Sequence, residues 1–111
     1  MPASRAATVW VPIVLWAGAI FAVSSIPSLG SGLEWDLTFR KLAHVGEFAV
    51  LGFLLARALA RVPAFLVGLA YAVSDELHQA FVPGRQGSAR DVAIDALGVL
   101  IGVLVYRRLR R

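Results

Sequence analysis

The sequence predicts an all-α, polytopic membrane protein: four transmembrane helices in an antiparallel bundle, with both termini cytoplasmic. Three observations carry this. Hydrophobic residues make up 59 % of 111, whereas soluble domains run about 45–50 %, and so small a soluble chain exposes too much surface to hide that much apolar area. Thr8 to Ile26 is an apolar run of about the 20 residues needed to cross hydrocarbon, and the apolar runs on either side of Asp75–Asp95 are each long enough to enter a bilayer. The 11 Lys and Arg, which leave a net charge of +4, sit mostly at the ends of those runs.

That distribution bears on partners. A basic chain usually raises the question of nucleic acid, but no single basic patch forms here, so none is expected. Charges at run ends suit anionic lipid headgroups and the positive-inside rule. The length leaves room for one domain, residues 1–111. There is no cysteine, which excludes disulfides and thiolate chemistry.

The first span is read over about 8–26. Trp10 and Trp16 lie in its first half and are read as interfacial or lipid-facing. Pro12 is placed near the first turn, where a missing N–H matters least. Arg5 followed by an apolar core also fits a cleaved signal peptide, but the run is long for one. Pro27 disfavours helical geometry at Ile26 and ends the span. Residues 28–39 are read as a Gly- and Ser-rich loop in which Glu34, Asp36 and then Arg40 are solvated.

The second helix is expected over about 40–60. Lys41, His44 and Glu47 follow at i, i+3 spacing and share one stripe. A turn around 57–63 leads to a third helix over about 63–82, with Pro63 suited to its first position. Its end carries Asp75, Glu76, His78 and Gln79, of which Asp75 and Gln79 share a face. Pro83-Gly84 breaks it, and Arg85-Gln86-Gly87-Ser88 forms a polar loop. Ser88 is a candidate N-cap for the fourth helix, about 89–106, with Asp91 at the capping-box position. Asp91 and Asp95 lie one turn apart. Gly98 and Gly102 form a G-x-x-x-G that lets another helix come close, a second copy of the chain included.

With four spans, the termini and the 57–63 turn share one side, and so do Arg5, Arg57, Arg61, Arg107, Arg108, Arg110 and Arg111. The other side holds Arg40, Lys41, Arg85 and Arg90, so the termini are expected in the cytoplasm. On either orientation, helix two begins, helix three ends and helix four begins on the same side. The ionisable residues of three helices are thereby brought to one layer near the outer face. Charges in such positions are costly and are usually functional or paired.

At these residues the chain resembles the VanZ-like family of small bacterial membrane proteins. The resemblance rests on Ser24-Ser25-Ile26-Pro27, on Lys41, His44, Glu47-Phe48 and Leu51-Gly52, and on Asp75-Glu76-Leu77-His78-Gln79-Ala80-Phe81. Pro83-Gly84-Arg85-Gln86-Gly87-Ser88, then Asp91, Asp95, Gly98 and Gly102, complete it, and it covers about residues 9–106. It implies a multi-pass protein of the bacterial cytoplasmic (inner) membrane and a cell-envelope setting. The family takes its name from a glycopeptide-resistance cluster, where its member resembles an accessory determinant of teicoplanin resistance. It implies no reaction. One departure stands out, since Asp95 occupies a position where asparagine is expected.

Three readings of the polar layer stay open. In the first it binds an envelope lipid, a cell-wall precursor or a glycopeptide antibiotic through Lys41, Glu76, His78, Gln79, Arg85, Gln86, Ser88, Arg90, Asp91 and Asp95. Arginine grips phosphate bidentately, and backbone N–H groups near a helix N-terminus suit an anion. In the second, His44, Glu47, Asp75 and His78 bind a divalent metal (Zn²⁺, Mn²⁺ or Mg²⁺). Glu47, Asp75 and His44 would then be the catalytic residues of an enzyme acting on a lipid or polyprenyl phosphate headgroup. No established catalytic motif accompanies them. In the third the layer is structural or docks a partner protein, with Lys41 pairing Glu47, and Arg85 and Arg90 pairing Asp91 and Asp95.

Overall fold

The structure, a computed structural model, describes residues 3–24, 34–82 and 89–110. Four helices make it up: α1 Ala3–Ser24, α2 Glu34–Ala58, α3 Arg61–Gln79 and α4 Ala89–Leu109. No strand occurs among the described residues, as the sequence predicts. The expected stop at Ser25–Pro27, the loop over 28–33 and the polar loop over 83–88 lie outside them.

Two helices begin earlier than the hydropathy implies. α1 starts at Ala3, so Pro12 sits in mid-helix and not in the first turn. The reason is local: Ala3-Ser4-Arg5-Ala6-Ala7 is made largely of good helix formers, which continue the helix beyond the apolar run. α2 starts at Glu34, which turns the second half of the expected 28–39 loop into helix. Glu34-Trp35-Asp36-Leu37-Thr38-Phe39 contains no Gly or Pro, and acidic residues in a first turn complement the helix dipole. α3 opens at Arg61, with Pro63 third in the helix and still in the first turn. Beyond Gln79 the chain tightens, with Phe81 N–H donating to His78 C=O at 3.1 Å and Val82 N–H to Gln79 C=O at 3.0 Å. That is how a helix ends ahead of a proline.

The contacts give the directions of the helices. Val45 meets Gly98 and Ala49 meets Gly102, so α2 and α4 run parallel. Gly68 meets Val99 while Asp75 reaches Asp95, so α3 runs against α4. Ala17 meets Tyr71 and Phe21 meets His78, so α1 runs with α3. The start of α1, the end of α4 and the Leu59–Ala60 link therefore lie at one end of the bundle. There Arg107 Nη2 donates to the Leu59 carbonyl at 3.3 Å. Arg61, Leu104, Arg107 and Arg108 line a groove of about 430 Å³ at that end.

The α2–α4 contact is the tightest in the molecule. A Cβ built on Gly102 would stand 1.9 Å from the Ala49 carbonyl oxygen, and one on Gly98 2.6 Å from that of Val45. On the facing helix, a Cβ on Gly52 would stand 2.2 Å from the Val99 carbonyl oxygen. The G-x-x-x-G thus brings in another helix of the same chain. Gly98 and Gly102 are buried against α2. Val99, itself fully buried, fits the notches of Gly52 and Gly68 and ties α2, α3 and α4 together. Phe48, Leu51, Leu55, Ala56, Ala64, Ala72 and Val103, with Ile13 and Ile20 of α1, belong to the same buried core.

Among the described residues α1 is the one helix long and apolar enough to cross a membrane by length and composition, over Ala6–Val23 with a mean hydropathy of 2.0. The other three helices interrupt their apolar sequence with ionisable residues, and those residues build the site.

Candidate functional site

The site begins with the register of three helices. Asp75 lies four residues before the end of α3 and Asp95 six after the start of α4, so both sit about 6–9 Å inside the helix ends. The α2–α4 register sets His44 beside Asp95. His44, Asp75 and Asp95 each direct one ligand-type atom into the same space, all within 4.8 Å of one another. His44 Nδ1 and Asp95 Oδ1 are 3.4 Å apart.

Burial is deep. Asp75 and Asp95 are each 1 % exposed, beside a Phe48 at 0 %. Phe48 forms the apolar floor, its ring centroid 6.2 Å from that of His44 and 6.0 Å from that of Tyr71. Gln79 Nε2 donates to Asp75 Oδ2 at 2.9 Å, the i, i+4 contact foreseen from the spacing. Asp75 Oδ1 and Asp95 Oδ2 are buried and have no hydrogen-bond partner among the described residues. A buried carboxylate oxygen left in this way costs about 1–3 kcal/mol or more.

α1 closes the side of the site. Trp16 Nε1–H donates to the Glu47 carbonyl at 2.8 Å, and the Tyr71 hydroxyl donates to the Ala17 carbonyl. Trp16 is half-buried against the core. It is therefore a strut between α1 and α2, where the sequence reading made it interfacial or lipid-facing. Trp10, by contrast, is 41 % exposed.

A family model described as VanZ/LLP1 matches residues 4–110 of the chain. The chain belongs to the VanZ/LLP1 family. No curated protein and no solved structure matches it.

Within this VanZ/LLP1 chain the predicted residues divide. His44 and Asp75 converge with Asp95, which was foreseen only as a ligand-binding residue. Glu47 and His78 fall outside that group. Glu47 is half-buried one turn further into α2, and His78 turns toward α1, its ring stacked on Phe21 at 4.1 Å. Glu76 is buried on α3. Asp91 is half-buried and Arg90 exposed at the start of α4. The expected pairing of Asp95 with Arg90 is replaced by the histidine contact, because Asp95 faces the interior and Arg90 does not. Lys41 lies in α2 three residues before His44, and its side chain is outside the described residues, as are Arg85, Gln86 and Ser88. Tyr71 and Trp16 were missed as site residues. Tyr71 stands at i−4 from Asp75, a spacing that could have drawn it in, but an aromatic in an apolar run reads as core.

Proposed function

We propose that this VanZ/LLP1 protein is a four-span protein of the bacterial cytoplasmic membrane that binds the headgroup of an envelope lipid or cell-wall precursor at the polar layer near the outer face. The observation that carries the reading is an inverted distribution of polarity. Leu42, Leu66, Leu77, Leu97 and Leu104, spread over α2, α3 and α4, and Phe81 just after α3 are each 48–87 % exposed, while Asp75, Glu76, Gln79 and Asp95 are 1–5 % exposed. Water would favour the reverse, and hydrocarbon favours this arrangement. The same reading supports α2–α4 as spans, since their ionisable residues are withdrawn from the lipid-facing surface. A phosphate-bearing headgroup is favoured because, in chain order, cationic Lys41, Arg85 and Arg90 fall beside the helix ends that carry the carboxylates.

The test is native mass spectrometry of the full chain in detergent with three probes: a polyprenyl phosphate, phosphatidylglycerol and teicoplanin. Retention of one of them, with release from the Arg85→Ala and Asp75→Asn variants, is the expected result. Equal retention of a zwitterionic phosphatidylcholine would reduce the reading to ordinary lipid solvation. Binding of teicoplanin alone would move the proposal to the antibiotic, in keeping with the resistance role that gives the family its name.

A further inference from the structure

We infer that His44, Asp75 and Asp95 form a site for one divalent transition-metal cation, with Zn²⁺ the ion the geometry fits best. The distances are those of ligands around one ion. The 3.4 Å between His44 Nδ1 and Asp95 Oδ1 is long for a charge-assisted hydrogen bond, which runs about 2.7–2.9 Å. Two ligands held at about 2.0–2.1 Å on a tetrahedral ion stand about 3.4 Å apart. The pair is thus set at the edge of a coordination tetrahedron, and Asp75 brings a third donor within 4.8 Å of both.

The carboxylate oxygens point the same way. Both aspartates are 1 % exposed, and Asp75 Oδ1 and Asp95 Oδ2 accept no hydrogen bond from the described residues. Buried carboxylates persist when they are paired or ligate a metal. Two of them beside one imidazole are neutralised by a single 2+ ion. Their remaining contacts are those of a ligand's supporting shell. Gln79 Nε2–H holds Asp75 Oδ2 at 2.9 Å, which orients the carboxylate and leaves its other oxygen for the ion. Imidazole with carboxylate is a donor set that Zn²⁺ accepts. Three protein ligands leave one position of a tetrahedral ion open. The metal site stands without the headgroup assignment.

The set differs from the one read off the spacing. Asp95 enters it, while Glu47 and His78 leave it. The Asp95 position, where asparagine is expected in the family, supplies a full negative charge and an anionic donor.

The test uses the tag-free full chain in detergent, stripped with EDTA and dialysed separately against Zn²⁺, Mn²⁺ and Mg²⁺, with bound metal counted by mass spectrometry. About one equivalent of Zn²⁺ or Mn²⁺ per chain is expected, with affinity lowered more than about tenfold in His44→Gln and in Asp95→Asn. His78→Gln should bind as the wild type does. Binding of neither Zn²⁺ nor Mn²⁺, Mg²⁺ alone included, or undiminished binding in both ligand variants, overturns the site. Size-exclusion chromatography and circular dichroism establish which variants fold. Where one does not, X-ray absorption at the Zn edge of the wild-type protein decides. One imidazole and at least two oxygens at about 2.0–2.2 Å support the site; two imidazoles, or an all-oxygen shell, overturn it.

Discussion

At the scale of single residues, the site is organised by the partners of two aspartates. Gln79 occupies one oxygen of Asp75, and His44 stands against one oxygen of Asp95. Replacing Gln79 with leucine keeps the bulk and removes the donor, so Asp75 loses its orientation. Metal affinity should fall about 10–100-fold, as read by competition with a chromophoric chelator, with the helical circular dichroism retained. The Gln79–Asp75 contact was legible in the sequence because i, i+4 on a helix is a contact by construction. The His44–Asp95 contact was not, since it depends on how α2 and α4 slide past one another, and spacing within one helix says nothing about register between two. Trp16 illustrates the same limit. Its indole N–H reaches the Glu47 carbonyl across 31 residues of chain, and an aromatic near the start of an apolar run gives no local sign of it.

At the scale of elements, the α2–α4 seam sets that register, and glycines set the seam. A methyl group on Gly52 would stand 2.2 Å from the backbone oxygen of Val99, and one on Gly102 would stand 1.9 Å from that of Ala49. Neither neighbour is a flexible side chain, so the helices must separate. Gly52→Ala and Gly102→Ala should each cost about 3 kcal/mol or more, measured as loss of thermal stability in detergent, and should also displace His44 from Asp95. Gly18 on α1 has nothing within 4 Å of the added methyl. There alanine should be neutral or gain up to about 1 kcal/mol from its better helix propensity. The contrast is internal: the same substitution changes sign with the closeness of the neighbouring backbone. Hydropathy placed all four helices, because greasy runs between breakers are visible in a linear string. It misplaced the starts of α1 and α2 because helical sequence continues past the apolar part, through Ala3–Ala7 and through Glu34–Phe39.

At the scale of the whole molecule, the up-and-down course brings the start of α1, the end of α4 and the arginine-lined groove to one end and the His44–Asp75–Asp95 cluster toward the other. The absence of native cysteine makes the proposed orientation directly measurable. Single cysteines at Ala89 and Arg110, both exposed, should behave oppositely toward a membrane-impermeant thiol reagent. Ala89→Cys should label in intact cells and Arg110→Cys only after lysis. Labelling of both from outside would refute the four-span reading. The all-helical class, the four helices, the family, and the end of the bundle at which the polar residues gather are legible in the linear string. These follow from composition, breakers and chain order, which are one-dimensional. The tertiary structure alone decided that Asp95 joins His44 and Asp75 while His78 turns away to Phe21, and that Gly98 and Gly102 serve a contact within the chain. Those outcomes rest on the rotation and depth of one helix against another. Cβ-less close approach and the seating of Val99 set these to within an ångström or so, and no residue reports them in its own sequence neighbourhood.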